Sequence, residues 1–133
     1  MHMRHRHTVV WLDHYEAIVM HVHAGGSDTM RITSDRSPEE HQLHRKSGAP
    51  GAGHLTDDAA FYAQIAHALH ESEVILITGP GLAKSAFVDY LKRRSTAVAA
   101  RVVAIETVDH PSEGQLRAFA QTYFKRLQNL GAT

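Results

Sequence analysis

The sequence predicts one α/β domain in which three antiparallel strands precede alternating helices and strands. Short apolar runs separated by turn residues open the chain, and apolar stripes with helical spacing fill its second half. A continuous apolar run, Val74 to Ile77, lies between two of these stripes, as is typical of a central strand covered on both faces. A length of 133 residues suits one hydrophobic core. We therefore predict a single domain over residues 1–133.

The first three strands are joined by short turns, which is typical of an antiparallel meander. Thr8 to Leu12 is the first apolar run and Ala17 to His23 is the second. A glycine-containing turn leads to a short third strand, Thr29 to Thr33, whose Met30 and Ile32 are expected to face inward. This third strand would leave an exposed sheet edge, which is a candidate site for pairing into a homodimer.

Two polar segments flank these strands. Residues 1–7 form a tail rich in His and Arg, and residues 35–55 form a long predicted loop with almost no apolar side chain. A structureless segment of this length in a compact domain is usually functional or disordered. Basic side chains can neutralise phosphates, glycines let the backbone approach RNA closely, and imidazoles can bond phosphate or 2′-hydroxyl groups. The candidate RNA-contacting residues of the loop are His41, His44, Arg45, Lys46, Gly48, Gly51, Gly53 and His54. The alternative is a polar loop that binds nothing.

The second half alternates helices and strands. Thr56 is expected to cap a helix, Gly79-Pro80-Gly81 ends the strand at Ile77 and opens a second helix, and Val102 to Val108 is the last strand. A long final helix ends near Gly131. The order β-β-β-α-β-α-β-α is that of the ribonuclease H-like fold, with a mixed five-stranded sheet and helices on both faces.

Residues that can carry chemistry follow the strands whose ends should meet. Ligands of such sheets bind beyond the carboxyl ends of the parallel strands, which here carry Asp13, His14, Asp109 and His110. These four are the candidate catalytic residues of a hydrolase acting on RNA or peptidyl-tRNA. A two-metal nuclease needs further carboxylates, and the fourth strand ends in Thr78 instead. The alternative interpretation makes Asp13 a turn residue and Asp109 the N-cap of the last helix.

The glycine turn after the fourth strand is a candidate anion site. Gly79 and Gly81 precede a helix whose free N–H groups could hold an anion, with Lys84 one turn further on. The alternative is a tight strand-to-helix turn without a ligand. Glu106, inside the last strand, is expected to pair with a cation such as Arg101 or a histidine.

Composition limits the functional classes. The 14 Lys and Arg residues balance the 14 Asp and Glu residues, so the strongly basic character of many nucleic-acid-binding domains is absent. No cysteine is available for a disulfide, a thiolate metal site or a nucleophile. The 12 histidines leave a metal-binding stress module as a hypothesis, although no spacing among them is diagnostic, and we expect no cofactor. No apolar run is long enough to cross a membrane, so a cytoplasmic protein is expected.

Three segments resemble a known family. They are Val9 to Ala17, Ile75 to Lys84 and Val108 to Leu116. Together they are similar to short bacterial proteins called translational machinery proteins, which resemble the middle domain of archaeal and eukaryotic class I peptide release factors and Pelota. The resemblance covers about residues 8 to 124 and implies a ribonuclease H-like fold and contact with the ribosome or RNA.

The same resemblance argues against hydrolysis by the release-factor route. In release factors the loop after the third strand carries Gly-Gly-Gln, and the corresponding loop here does not. The one Gly-Gly pair, Gly25-Gly26, lies in the predicted hairpin turn and is followed by Ser27. The resemblance therefore implies a ribosome- or RNA-associated accessory protein that is not an enzyme.

Overall fold

The structure, a computed structural model, describes residues 5–34 and 52–131 and shows one mixed β-sheet with helices on both faces. In these ranges the strands are β1 (His5–Leu12), β2 (Glu16–His23), β3 (Gly26–Thr33), β4 (Ser72–Gly79) and β5 (Val102–Thr107). The helices are α1 (Ala52–Ala68), α2 (Ala83–Arg94), α3 (Thr96–Ala99) and α4 (Glu113–Asn129). The predicted α/β class and ribonuclease H-like element order are confirmed, with the short α3 added. None of these helices has the length and hydropathy needed to cross a bilayer.

β1 lies at the centre of the sheet, whose strand order is β3-β2-β1-β4-β5. Val10 of β1 lies opposite Val19 of the antiparallel β2 and opposite Ile77 of the parallel β4. Among the described strands, β3 pairs with β2 alone, and β5 pairs with β4 alone, in parallel. β3 is therefore an edge strand, as the sequence predicts, and a homodimer through it stays a prediction.

Two apolar cores, one on each face of the sheet, hold the helices in place. Side chains of β1 alternate between them, because successive residues of a strand point to opposite faces. The core under α1 and α2 contains Val10, Leu12, Val19, Phe61, Ile65, Leu69, Ile75, Ile77, Phe87 and Leu91 among others. The core under α4 contains Val9, Trp11, Ile18, Met20, Leu76, Leu116, Ala120 and Phe124 among others. Burial on both faces explains why β4 is apolar throughout its central part.

The three long helices, α1, α2 and α4, run between the two ends of the sheet. The carboxyl edge is where the parallel strands β1, β4 and β5 end, and the amino edge is where they begin. α2 follows the end of β4 and precedes the start of β5, so its last turn lies at the amino edge. α1 likewise ends shortly before β4 begins, which places its first turn toward the carboxyl edge. Ser34 donates its N–H to Tyr15 O at 2.8 Å, so the chain also leaves β3 at the carboxyl edge.

Three elements begin at least three residues earlier than the sequence predicts, and one of them is β3, which starts at Gly26 rather than at Thr29. β1 starts at His5, so residues 5–7 of the predicted tail extend the strand, with His7 opposite Val74. α1 starts at Ala52, so the predicted cap at Thr56 is wrong. One glycine in a helix costs only about 1 kcal/mol relative to alanine, a small penalty beside the burial of the helix's apolar stripe. Of the predicted loop, residues 52–55 are helical and residues 35–51 lie outside the described residues.

Two side chains on the edge strands differ from expectation. Met30 shares a face with Ile32, yet its side chain is 49% exposed while Ile32 is buried. Among the described residues of β3, only Ile32 reaches the core under α1. Glu106 pairs with a phenol rather than a cation, because Tyr123 Oη donates to its carboxylate at 3.1 Å. Burial, followed by this hydrogen bond to Glu106, raises the pKa of Tyr123.

Candidate functional site at the carboxyl edge

Asp13 turns the chain directly after β1. Its Oδ1 accepts hydrogen bonds from the backbone N–H groups of Tyr15 at 2.8 Å and Glu16 at 2.9 Å. Its own N–H donates to Glu16 O at 3.0 Å, which closes the link between β1 and β2. One carboxylate oxygen of Asp13 therefore has the structural role that the sequence offered as the alternative to catalysis. The second oxygen faces outward.

That second oxygen lies beside His110, which follows β5. His110 Nε2 is 3.8 Å from Asp13 Oδ2, an ion-pair separation beyond hydrogen-bond length. On the other side of the ring, Nδ1 is 3.0 Å from Asp109 Oδ1. The side chains of Asp13, His110 and Asp109 are 20%, 65% and 93% exposed, so the group lies at the surface and opens outward. The structure thus brings three of the four candidate catalytic residues together, while His14 is exposed on the adjoining turn.

Trp11, in the core under α4, stabilises this arrangement. Its indole Nε1 donates to Val108 O at 3.1 Å and to Asp109 O at 2.6 Å, while the ring itself is buried at the end of β1. The edge of the His110 ring meets the Trp11 ring, with centroids 5.1 Å apart and planes inclined by 61°. The single tryptophan of the chain therefore fixes the turn that carries Asp109 and His110. Its place in the apolar run from Thr8 to Leu12 predicts only a strand residue, since nothing in a strand pattern shows which carbonyls an indole will reach.

The predicted N-cap at Asp109 is wrong, and Ser112 takes that role for α4. Ser112 Oγ accepts from the N–H of Gln115 at 3.1 Å, and Gln115 Oε1 accepts from the N–H of Ser112 at 2.9 Å. This reciprocal pair is a capping box. Because Ser112 satisfies the helix end, the carboxylate of Asp109 is available to His110.

Gly79 lies at this edge because β4 approaches β1 closely there. A Cβ atom at Gly79 would lie 2.2 Å from Leu12 O, and Gly79 O accepts from the N–H of Val108 at 3.1 Å. The hydroxyl of Thr78 is buried and donates to Val10 O at 2.9 Å, so it supplies neither an acid nor a free hydroxyl. The glycine at this position is thus required by the packing of strand ends.

The rest of the predicted anion site is not assembled as expected. Lys84 Nζ donates to the backbone carbonyl of Gly81, so the lysine closes its own turn. α2 has no side-chain cap at Leu82. Of the predicted loop residues, Gly53 and His54 lie in the first turn of α1. The others, His41, His44, Arg45, Lys46, Gly48 and Gly51, lie outside the described residues.

An ion-pair network that the sequence did not reveal borders the site. Arg31 of β3 reaches Glu16 at 2.9 Å and Glu113, in the first turn of α4, at 3.3 Å. It links the β2–β3 hairpin to the helix that follows the site. The contact with Glu113 joins residues 82 positions apart, so no local pattern could have predicted it.

The chemistry available here is that of one imidazole between two carboxylates. Such a group can accept or donate a proton, and it can bind a cation or a hydrogen-bond donor. Within residues 5–34 and 52–131, however, no three His, Asp or Glu side chains are grouped so that they could hold a metal ion. A two-metal hydrolytic centre is therefore not formed by the described residues.

Comparison with known proteins gives a consistent fold. No family model and no curated protein matches the sequence. Among solved structures, Pelota from Archaeoglobus fulgidus is 16% identical and covers 94% of this chain with a TM-score of 0.61. Pelota from Thermoplasma acidophilum is 26% identical and covers 86% with a TM-score of 0.60. An archaeal translation termination factor is 14% identical and covers 94% with a TM-score of 0.59.

This chain matches only part of each of those proteins. It spans 32% of the Archaeoglobus Pelota chain, 31% of the Thermoplasma Pelota chain and 41% of the termination factor. The chain therefore shares the fold of one portion of these proteins.

Proposed function

We propose that this protein is a ribosome- or RNA-associated accessory protein of translation, built on the middle domain of Pelota and the class I release factors. The observation that carries the proposal is the match to two Pelota proteins and a translation termination factor over 86 to 94% of this chain. The resemblance of three sequence segments to short bacterial translational machinery proteins supports the same assignment.

The protein acts without release-factor hydrolysis in this proposal. The sequence contains no Gly-Gly-Gln, and its one Gly-Gly pair lies where β2 turns into β3, with His23 opposite Gly26. That turn is at the amino edge, whereas β3 ends at the carboxyl edge, just before Ser34. The glycine pair is therefore not placed as a substitute for the release-factor motif.

Sedimentation with ribosomes tests the proposal. Purified protein is pelleted through a sucrose cushion with ribosomes from the organism that encodes it, at low and at physiological salt. We expect co-pelleting that is strongest at low salt, because contact with RNA is mainly with phosphates. The controls are the protein without ribosomes and an unrelated α/β domain of similar size and charge. Recovery of all the protein in the supernatant at low salt would reject the proposal.

A hydrolase is the second candidate, because Asp13, His110 and Asp109 converge at one sheet edge. It would act on RNA or peptidyl-tRNA, with His110 as the proton-transfer group. Labelled RNA and peptidyl-tRNA are incubated with the wild type, with His110→Ala and with His67→Ala, whose exposed imidazole lies near the far end of α1. Turnover that disappears only in His110→Ala supports a hydrolase. Absence of turnover with Mg²⁺, with Mn²⁺ and without metal removes it.

A further inference from the structure

The carboxyl edge is poorly suited to a polyanion. The carboxylates there belong to Asp13, Glu16, Asp109 and Glu113. Two of the described cations near this edge are engaged within the protein, since Arg31 bridges two of these acids and Lys84 bonds a backbone carbonyl. A phosphate backbone approaching the described residues of this edge would meet exposed negative charge.

The amino edge carries a group of exposed cations, beside carboxylates such as Glu73, which Arg6 reaches at 3.3 Å. α2 ends there with three consecutive basic residues, Lys92, Arg93 and Arg94, and all three are exposed. In the described part of the chain, none of the three forms an ion pair with a carboxylate. Their charges are therefore free to meet an external anion.

A fourth cation is held nearby by the backbone. Arg101 Nη1 donates to His70 O at 2.9 Å and to Ser72 O at 3.1 Å, which joins the start of β5 to the end of α1. Arg101 N also donates to Val98 O at 2.9 Å, at the end of the short α3 that follows α2. The acceptors of these bonds are neutral carbonyls rather than carboxylates. We call Lys92, Arg93, Arg94 and Arg101 the amino-edge basic surface.

The helix dipole explains a preference for positive charge in the last turn of α2. It does not explain a fourth cation contributed by another element. Arginine presents a planar fork that binds phosphate oxygens through two hydrogen bonds, and lysine supplies a mobile point charge. Lys125 and Arg126, exposed near the end of α4, extend the positive charge to the other face of the sheet.

We propose that the amino-edge basic surface binds the phosphate backbone of structured RNA. This inference rests on the proposed function and assigns its RNA contact to the edge opposite the one that the sequence predicted. The interaction is with phosphates, so it has little dependence on base sequence and a strong dependence on salt.

Two charge-matched variants test the assignment. Arg93→Gln with Arg94→Gln removes two positive charges from the amino edge, and Lys84→Gln with Arg117→Gln removes two near the carboxyl edge. Glutamine keeps a similar helix propensity, and circular dichroism confirms that both variants fold. Binding of a fluorescein-labelled RNA hairpin is followed by fluorescence anisotropy between about 50 and 200 mM salt. The same proteins are titrated with phosphatidylglycerol vesicles and pelleted with ribosomes.

We expect the amino-edge variant to bind the hairpin roughly tenfold more weakly, with a salt slope shallower by about one for each phosphate that is no longer neutralised. The carboxyl-edge variant should stay within about twofold of the wild type, which the same salt series measures. Equal losses in both variants, a loss only at the carboxyl edge, or no wild-type binding at low salt would overturn the inference. Weaker vesicle binding by the amino-edge variant, with unchanged RNA binding, would also overturn the inference.

The ribosome arm separates this inference from the proposed function. RNA binding that depends on the amino edge, in a protein that does not pellet with ribosomes, would contradict a ribosomal role and leave the surface assignment supported. Ribosome pelleting that is unchanged by the amino-edge substitutions would contradict the surface assignment and leave the proposed function standing.

Discussion

His7 is an imidazole held in largely apolar surroundings near the start of β1. Its ring stacks on Phe124 of α4, with centroids 4.5 Å apart and planes inclined by 21°. Its Nε2 is buried and has no hydrogen-bond partner among the residues that the structure describes. Burial, reinforced by the charge of Arg6 and opposed by Glu73, lowers the pKa of His7 below its usual value of 6.5. Protonation in the folded state would therefore charge a ring that lacks solvent on one side.

The lowered pKa predicts a loss of stability on acidification. The unfolded chain takes up this proton near pH 6.5 while the folded chain still resists it, so unfolding becomes easier as the pH falls below that value. The contribution of neutral His7 to the free energy of unfolding is complete above pH 6.5, and it is lost as the pH falls through the lower pKa of the folded state. Urea denaturation at several pH values should show a smaller acid-induced loss for His7→Phe than for the wild type. An unchanged loss in His7→Phe, or an equal change in the exposed His67→Gln, would contradict this account.

Gly79 and Gly81 are separated by one residue but differ in their surroundings. A side chain at Gly79 would collide with the backbone of Leu12, whereas nothing lies within 4 Å of a Cβ at Gly81. We expect Gly79→Ala to lower the free energy of unfolding by roughly 3 kcal/mol, since the obstacle is a backbone carbonyl that cannot rotate away. Gly81→Ala should change it by less than about 1 kcal/mol, in the stabilising direction. Urea denaturation measures both, and similar values for the two variants would refute the packing argument.

At the scale of elements, the start of α4 depends on one serine. The capping box of Ser112 and Gln115 satisfies backbone N–H groups that the helix leaves unpaired. Ser95 precedes the short α3 in the corresponding position, but its side chain makes no cap hydrogen bond. We expect Ser112→Ala to cost about 1 kcal/mol of unfolding free energy and Ser95→Ala only a few tenths. Equal costs in thermal or urea denaturation would show that the cap contributes nothing specific.

Element order was predictable because apolar runs and glycine turns are local signals. The continuous apolar stretch of β4 predicted an interior strand. The turn from Gly79 to Gly81 predicted the helix that follows it. The four-residue α3 was not predicted, since Thr96–Ala99 is too short to show a period. The start of α1 was missed because Gly51 and Gly53 resemble loop residues when tertiary packing is unknown.

The candidate site was predictable only in part, because its long-range contacts depend on tertiary packing. Strand ends placed Asp13 and Asp109 at one edge, and the structure has His110 between them. The pairing of Glu106 with Tyr123 and of Arg31 with Glu113 joins residues far apart in sequence. Such contacts follow from how helices lie across the sheet, which residue patterns do not specify. The hydrogen bond of Lys84 to the carbonyl of Gly81 could not be predicted either, because the sequence does not show which acceptor a flexible lysine reaches.

At the scale of the whole molecule, a balanced net charge conceals an uneven distribution. The carboxylates of Asp13, Glu16 and Asp109 are at the carboxyl edge, and the exposed cations at the end of α2 are at the amino edge. The crossovers cause this separation, because every helix that follows a parallel strand returns to the amino edge with its carboxyl end. Cations also stabilise the carboxyl end of a helix, because the helix dipole is negative there. The dipole and a polyanionic partner would therefore both favour Lys and Arg at that end. Net charge alone therefore does not show whether one edge of the protein is basic.

The sheet also has two open edges, and they differ in what they offer to a second copy of the chain. β3 carries the half-exposed Met30, and β5 carries Val103 and Ile105, both more than 40% exposed. Edge strands can pair with one another unless charges or irregular backbone prevent it. β5 is irregular next to Val103, where its pairing with β4 shifts register, whereas β3 pairs with β2 in continuous register over its whole length. The regular strand is the better template for another strand.

We therefore expect the chain to self-associate through β3. Light scattering across a concentration series should show mass rising toward a dimer in the wild type and in Val103→Lys, because the irregular β5 edge does not take part. Met30→Lys should remain monomeric, since a lysine among the exposed side chains of an edge strand opposes pairing with its own copy. A mass that stays monomeric at every concentration in the wild type would reject the dimer. Loss of association in Val103→Lys but not in Met30→Lys would move the contact to β5 and show that regular pairing does not select the edge.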